Sequence, residues 1–220
     1  MTDVKIAPST LSCPLADLQG YIKELEVSGA DWLHCDIMDG EFVPEKTFDE
    51  TILSLISKRT KMPMDVHLMI KKPEEKIVKY VKAGAKILTV HYEAFDSKVV
   101  LINTLQKMRE LGVQVGLSIK LDTDLEEIYK YLPLIDVILV MSVTPGKSGQ
   151  KFQKEAISRI ALLHNYRKQT GLEFLIEVDG GINLENSSNI ITAGADVLVS
   201  GKTIYSAEDK KFIIQELRGK

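Results

Sequence analysis

Apolar residues along this chain follow two alternating rhythms. Short runs rich in Val, Ile and Leu, at 5–9, 32–38, 63–69, 86–92, 114–119, 136–143, 174–179 and 197–201, read as β-strands. The stretches between them carry apolar residues at helical spacing. "PLADLQGYIKELEVSG" (14–29) has proline near its start and glycine at its close, and "FQKEAISRIALLHNYRKQTG" (152–171) behaves alike. One junction recurs: a helix-like stretch, a glycine, then a β-rich run, as in "VSGADWLHCDI" (27–37), "KAGAKILTVHY" (82–92), "TAGADVLVSG" (192–201) and, more loosely, "ELGVQVGLSI" (110–119). Gly29, Gly84, Gly112 and Gly194 are therefore predicted to end helices in the left-handed conformation. Strands alternating with helices predict an α/β fold, a parallel sheet covered by helices. Eight such units over residues 1–220 predict one (β/α)8 TIM-barrel domain, with an open doubly wound sheet as the alternative.

Alternation within the strands sorts the polar side chains. His34, Asp36 and Met38 fall on one face of their run, and Leu33, Cys35 and Ile37 on the other. Asp65, His67 and Met69 share a face of the next run, and Glu177 and Asp179 share one in "FLIEVDGG". In a barrel these faces point inward, and sites form where the strands end. His34, Asp36, His67 and Asp179 are thus expected to meet at one mouth. Two imidazoles and two carboxylates suit one divalent first-row metal, Zn²⁺ first, with Fe²⁺, Mn²⁺ or Co²⁺ as alternatives. His91 is expected to be a core or supporting residue rather than a ligand, Tyr92 and Glu93 have no assigned role, and His164 is expected on a helix surface.

Composition narrows the partners. With 45% hydrophobic and 27% charged residues the chain is ordinary for a globular protein, and a net charge of −3 with scattered basic residues argues against nucleic acid. No run approaches the ~20 apolar residues of a membrane span, and "MTDVKIAPST" lacks a signal-peptide core. Cys13 and Cys35 make neither a disulfide framework nor a zinc-finger spacing, so a cytoplasmic location is expected.

Three glycine-rich loops follow the last strands: "TPGKSGQ" (144–150), "DGGIN" (179–183) and "SGKTIY" (200–205). Loops after the seventh and eighth strands of such barrels often surround phosphate with backbone N–H groups. Gly180, Gly181, Gly201 and Lys202 are placed in that role, and Gly146, Ser148 and Gly149 in a flap over the site.

The segments "IAPSTLS" (6–12), "HCDIMDGEFVP" (34–44), "DVHLMI" (65–70), "VHYEA" (90–94), "MSVTPGKSGQKF" (141–152) and "EVDGGIN" (177–183), in this order, resemble the ribulose-phosphate 3-epimerase family over nearly the whole chain. The resemblance implies a barrel of the ribulose-phosphate-binding type that inverts C3 of a ketose phosphate, usually interconverting D-ribulose 5-phosphate and D-xylulose 5-phosphate. It implies His34, Asp36, His67 and Asp179 as metal ligands and Asp36 and Asp179 as the acid/base pair. Ser9 and His67 would touch the substrate, Met38, Met69 and Met141 would surround the reacting carbons, and Gly146, Ser148, Gly180, Gly181, Gly201 and Lys202 would fall at the flap and phosphate. A homo-oligomer, dimer or hexamer, would also fit the family.

The chain departs from the family pattern at Thr144, Lys147 and Ser148 in the loop after the sixth strand, at Lys202, in "KLDTD" (120–124) and at Glu45. None of these touches the implied ligands or acid/base pair, so they bear on the substrate rather than on the reaction. An epimerase of D-allulose 6-phosphate is accordingly the alternative reading, and a non-catalytic sugar-phosphate-binding barrel the remote one. A decarboxylase or aldolase with an Asp-x-Lys-x-x-Asp strand end is disfavoured because Asp36 stands where the lysine would be.

Overall fold

Residues 4–219 are described by a computed structural model. Its strands are β1 Lys5–Pro8, β2 Leu33–Met38, β3 Met64–Met69, β4 Ile87–His91, β5 Gln114–Ile119, β6 Val137–Met141, β7 Leu175–Asp179 and β8 Val197–Ser200. All pair in parallel, in the order β1-β8-β7-β6-β5-β4-β3-β2. A parallel bridge between Ser9 and His34, and the Asp31 N–H donating to the Ile6 carbonyl at 3.0 Å, join β1 to β2 and close the barrel. The open-sheet alternative is thereby excluded.

Parallel neighbours need crossover connections, and helices provide them. Among the described residues these are α1 Leu18–Val27, α2 Glu50–Ser57, α3 Ile77–Lys82, α4 Lys98–Glu110, α5 Leu125–Ile128, α6 Glu155–Thr170, α7 Ser187–Ala193, α8 Lys202–Tyr205 and α9 Lys210–Leu217. Outward strand residues such as Cys35, Val66, Leu88, Leu117, Ile138 and Val178 join the apolar core between strands and helices. Inside the barrel, Ala7, Trp32, Ile87, Val137, Val197 and Val199 form a separate apolar plug. Gly29, Gly84, Gly112 and Gly194 all carry positive φ at helix ends, as predicted. At Gly194 the requirement is doubled, since a Cβ there would lie 2.3 Å from the His164 ring. His164 is consequently half-buried against α7 rather than on the surface, with Arg167 Nη2 3.1 Å from its Nδ1.

Two helices start later than their apolar periodicity suggests. Residues 14–17 form their own turn, Asp17 N–H to Pro14 carbonyl, before α1 begins. The N–H of Gln153 donates to the carbonyl of Ser142, which ties 152–153 to the end of β6 and delays α6 to Glu155.

Aspartates just before β2, β6 and β8 have a common task. The side chains of Asp31, Asp136 and Asp196 accept the N–H of Ile6, Val115 and Ile176, each on the neighbouring strand, at 2.8, 2.7 and 2.8 Å. Arg218, Arg109 and Arg167 pair with the same three carboxylates. The far end of the barrel is thus sealed by repeated Asp–Arg pairs that also satisfy strand N–H groups. Asp196→Ala leaves the Ile176 N–H and Arg167 without their acceptor and is expected to cost about 1–3 kcal/mol, read as a lower urea midpoint at unchanged slope. A parent-like midpoint would show that the pair contributes nothing.

Candidate metal centre

The site is assembled where the interior faces of β2, β3 and β7 reach the barrel mouth. Asp36 and His67 are register partners across β2 and β3, as Met141 and Asp179 are across β6 and β7. His34, Asp36, His67 and Asp179 each offer one atom, and these atoms all lie within 4.8 Å of one another. His34 Nε2 is 3.2 Å and His67 Nδ1 3.1 Å from the same oxygen, Asp36 Oδ1. The other Asp36 oxygen accepts the Ser9 hydroxyl at 2.9 Å. Both histidines are fully buried.

This donor set fits a divalent cation on two grounds. Among the described residues no lysine or arginine pairs with Asp36 or Asp179, so the carboxylates lack a protein countercharge apart from the imidazoles. Behind the cluster, Asp65 Oδ2 lies 2.5 Å from His34 Nδ1, which leaves Nε2 to face Asp36. Burial opposes a charged His34, yet Asp36 and Asp65 outweigh it and hold the imidazole well above its usual range. The spot is therefore strongly negative, the field that a bound cation answers.

The two carboxylates at the mouth differ in environment. Burial pushes Asp36 up, but the His34 charge and the His34 hydrogen bond more than reverse this and hold it well below the carboxylate range. Burial and then the Asp36 charge push Asp179 up to about 6. Such a split gives the two carboxyls unlike affinities for a proton. Deeper in, Glu177 is fully buried with both oxygens unpartnered, and burial followed by the Asp65 charge raises it far above its usual range.

A cleft of about 1430 Å³ opens above the cluster. Ser9, Asp36, Met38, Met69, Met141 and Asp179 line its floor. Met38 and Met69 pack with Val43 and Phe42, and Met141 with Leu139 and Val143. Gly146, Lys147, Ser148, Gly149, Gly180, Gly181, Gly201 and Lys202 line the same cleft, so the three glycine-rich loops do converge on it. His34 and His67 do not line it; they sit beneath. Gly181, at φ 65°, brings the loop after β7 against the loop after β6 so closely that a Cβ would lie 2.4 Å from Phe152 N. Gln150 Nε2 donates to the carbonyls of Thr144 and Lys147, which shapes the "TPGKSGQ" loop. Glu45 is exposed and lies outside the cleft.

Three side-chain pairings at the site were not identified from the sequence. Ser12 reaches the loop after β6, its Oγ 3.1 Å from Ser148 Oγ. Asp65 was placed on the inward face by alternation, with nothing in the sequence pointing to its bond with His34. His91 is buried with Nε2 2.9 Å from His67 Nε2 and Nδ1 3.0 Å from Glu93 Oε2, the supporting place expected for it. Burial lowers His91 to about 4, and the His91 hydrogen bond, working against burial, lowers Glu93 to about 2.

Comparison with known proteins agrees with this arrangement. The sequence model of the ribulose-phosphate 3 epimerase family matches residues 5–205. The chain is 41% identical to ribulose-phosphate 3-epimerase of Bacillus subtilis over 217 residues, covering 98% of this chain and 99% of the relative. It is 42% identical to the Aquifex aeolicus enzyme of that name, covering 93% and 90%, and 38% identical to the chloroplastic ribulose-5-phosphate-3-epimerase of Arabidopsis thaliana, covering 94% and 74%. Among solved structures, 3-hexulose-6-phosphate synthase from Salmonella typhimurium superimposes with a TM-score of 0.72 at 18% identity, covering 98% and 97%, a likeness of fold alone. By sequence, fold and the residues gathered at its barrel mouth, this chain belongs to the ribulose-phosphate 3-epimerase family.

Proposed function

We propose that this protein interconverts D-ribulose 5-phosphate and D-xylulose 5-phosphate by inverting C3, with Asp36 and Asp179 as the acid/base pair. The observation that carries the reading is two carboxylates from different walls of the barrel meeting at one cleft floor, one held ionised and the other raised to about 6. Epimerisation at carbon needs that combination. The C3 hydrogen lies next to the C2 ketone, so its removal as a proton leaves the bond's electron pair in an enediolate. An ionised carboxylate on one face takes the proton, and a protonated carboxyl on the other returns one to C3 with inverted configuration. Asp36 begins as the base for one epimer and Asp179 for the other. Each turnover exchanges their protonation states.

His34, Asp36, His67 and Asp179 would hold the metal. A divalent ion there supplies Lewis-acid stabilisation of charge developing on the sugar oxygens. Zn²⁺ is the first choice for this donor set, and Fe²⁺, Mn²⁺ and Co²⁺ also suit it. Ser9, bonded to one oxygen of Asp36, fixes that carboxylate and leaves the other oxygen on the side of His34 and His67, where the metal would be held. Met38, Met69 and Met141 offer polarisable sulfur around the reacting carbons and keep water from the enediolate. The backbone at Gly180, Gly181 and Gly201, with the Lys202 ammonium, receives the phosphate, and Gly146, Ser148 and Gly149 close over it.

Two experiments test this reading. Asp179→Asn keeps size and shape but cannot carry the proton, so turnover should fall by about 10²–10⁴-fold with the fold intact by circular dichroism. In deuterium oxide the parent should place solvent deuterium at C3. Near-normal turnover by the variant, or no exchange by metal-loaded parent, would remove the acid/base assignment. A higher kcat/KM on D-allulose 6-phosphate than on D-ribulose 5-phosphate would keep the chemistry and change the substrate. Separately, metal-stripped protein should take up one equivalent of Zn²⁺, and its melting temperature should rise with free Zn²⁺. Unchanged melting across that titration would argue against a resident metal.

A further inference from the structure

His67 reaches the cluster through Nδ1, 3.1 Å from Asp36, and that nitrogen ligates a metal only if it carries no proton. Whether it does is decided behind the ring. His67 Nε2 lies 2.9 Å from His91 Nε2, and His91 Nδ1 lies 3.0 Å from Glu93 Oε2. Glu93 is itself fixed from the far side. Its Oε1 accepts the Lys120 N–H at 2.9 Å and the Thr123 hydroxyl. Four groups thus run in line from the metal cluster to the backbone of the loop after β5. Glu93 touches neither the cleft nor any member of the cluster.

We propose that Glu93, acting through His91, is a positioning residue that sets the tautomer of His67 and turns its Nδ1 lone pair toward the metal. An ionised carboxylate only accepts, so His91 presents its proton from Nδ1 to Glu93. Neutral His91 then has only a lone pair at Nε2, and His67 must supply the proton to that contact from its own Nε2. Nδ1 of His67 is left bare on the side facing Asp36. His34 receives the equivalent instruction in one step, from Asp65, and so faces the cluster with the opposite nitrogen. The proposal rests on the metal centre proposed above.

Glutamine at 93 tests it sharply. Two donors, the Lys120 N–H and the Thr123 hydroxyl, meet Oε1, so the amide carbonyl of Glu93→Gln settles there and its NH₂ faces His91 Nδ1. That donor demands a lone pair on Nδ1 and reverses the relay. Thr123→Ala instead removes one donor to Oε1 and leaves the His91 contact alone. Metal-stripped full-length protein is titrated with Co²⁺ alone and followed by visible absorbance. Glu93→Gln is expected to weaken Co²⁺ binding about 10–100-fold and to alter the absorption band, while Thr123→Ala binds as the parent does. Parent-like binding by Glu93→Gln, or equal losses in both variants, would overturn the relay in favour of loop anchoring. A parent that takes up no Co²⁺ would overturn the metal centre as well, which separates the two failures.

A measurement on the unaltered protein covers a variant that does not fold. The chain has 4 histidines, so their ring ¹⁵N spectrum is simple. With Zn²⁺ bound, His91 should appear as the neutral Nδ1–H form. An Nε2–H or doubly protonated His91 would overturn the assignment.

Discussion

Negative charge buried without a protein cation is the constraint around which this barrel is organised. Asp36, Asp65, Glu177 and Asp179 all project inward around His34, and among the described residues no lysine or arginine reaches them. Such groups are costly in a dry interior unless something compensates. Three compensations are visible. His34 is sandwiched between Asp36 and Asp65, Glu177 is driven toward its neutral form, and the remaining charge is concentrated at the mouth, where a cation has access from the cleft. An apolar plug of Ala7, Trp32, Ile87, Val137, Val197 and Val199 packs in the same barrel interior. The contrast with the sealed end is informative: there Asp31, Asp136 and Asp196 each have an arginine, and no chemistry follows.

The meeting of His34, Asp36, His67 and Asp179 was legible in the sequence because strand periodicity is rigid. In a closed barrel a residue two positions along a strand lies on the same face, so "HCDIM", "DVHLM" and "EVD" yield their inward members directly. Strand ends proved accurate to within one or two residues, since the turn glycines and the ladder's last hydrogen bonds fix them together. Partnerships between side chains were not legible. That Asp65 holds His34, or that Glu93 reaches back to His91, depends on rotamers and on the stagger between strands. His164 illustrates the same limit from the other side. Helical periodicity left it at the surface, whereas the missing side chain of Gly194, thirty positions on in the sequence, makes room for the ring.

The division between strands and loops also divides chemistry from recognition. Every group assigned to the proton transfers stands on a strand or, like Ser9, at its first residue beyond, where packing on both sides restricts its motion. The end of the cleft proposed to receive phosphate is built from loops, and contact between loops holds it together: Gly181 against Phe152, Gly146 against Val43, Ser12 against Ser148. A substitution at Lys147 or Lys202 moves a charge at an exposed rim, while one at Asp36 alters a carboxylate that is 3% exposed. Changes from the family pattern at Thr144, Lys147, Ser148 and Lys202 thus fall in loops that line the cleft, where they are structurally cheap.

The same reasoning explains why fold similarity says so little about reaction. A 3-hexulose-6-phosphate synthase and a thiamine phosphate pyrophosphorylase superimpose on this chain with TM-scores of 0.72 and 0.65 at 18% and 15% identity. Any such barrel offers inward positions at eight strand ends, and its helices and apolar core are indifferent to what those positions hold. What is particular to this chain is a pair of carboxylates given unlike surroundings by their neighbours. Asp36 accepts the Ser9 hydroxyl and lies beside the imidazoles of His34 and His67, whereas burial and the charge of Asp36 raise Asp179. In the reaction proposed for this site, such unlike surroundings would let two identical side chains begin a turnover in opposite states.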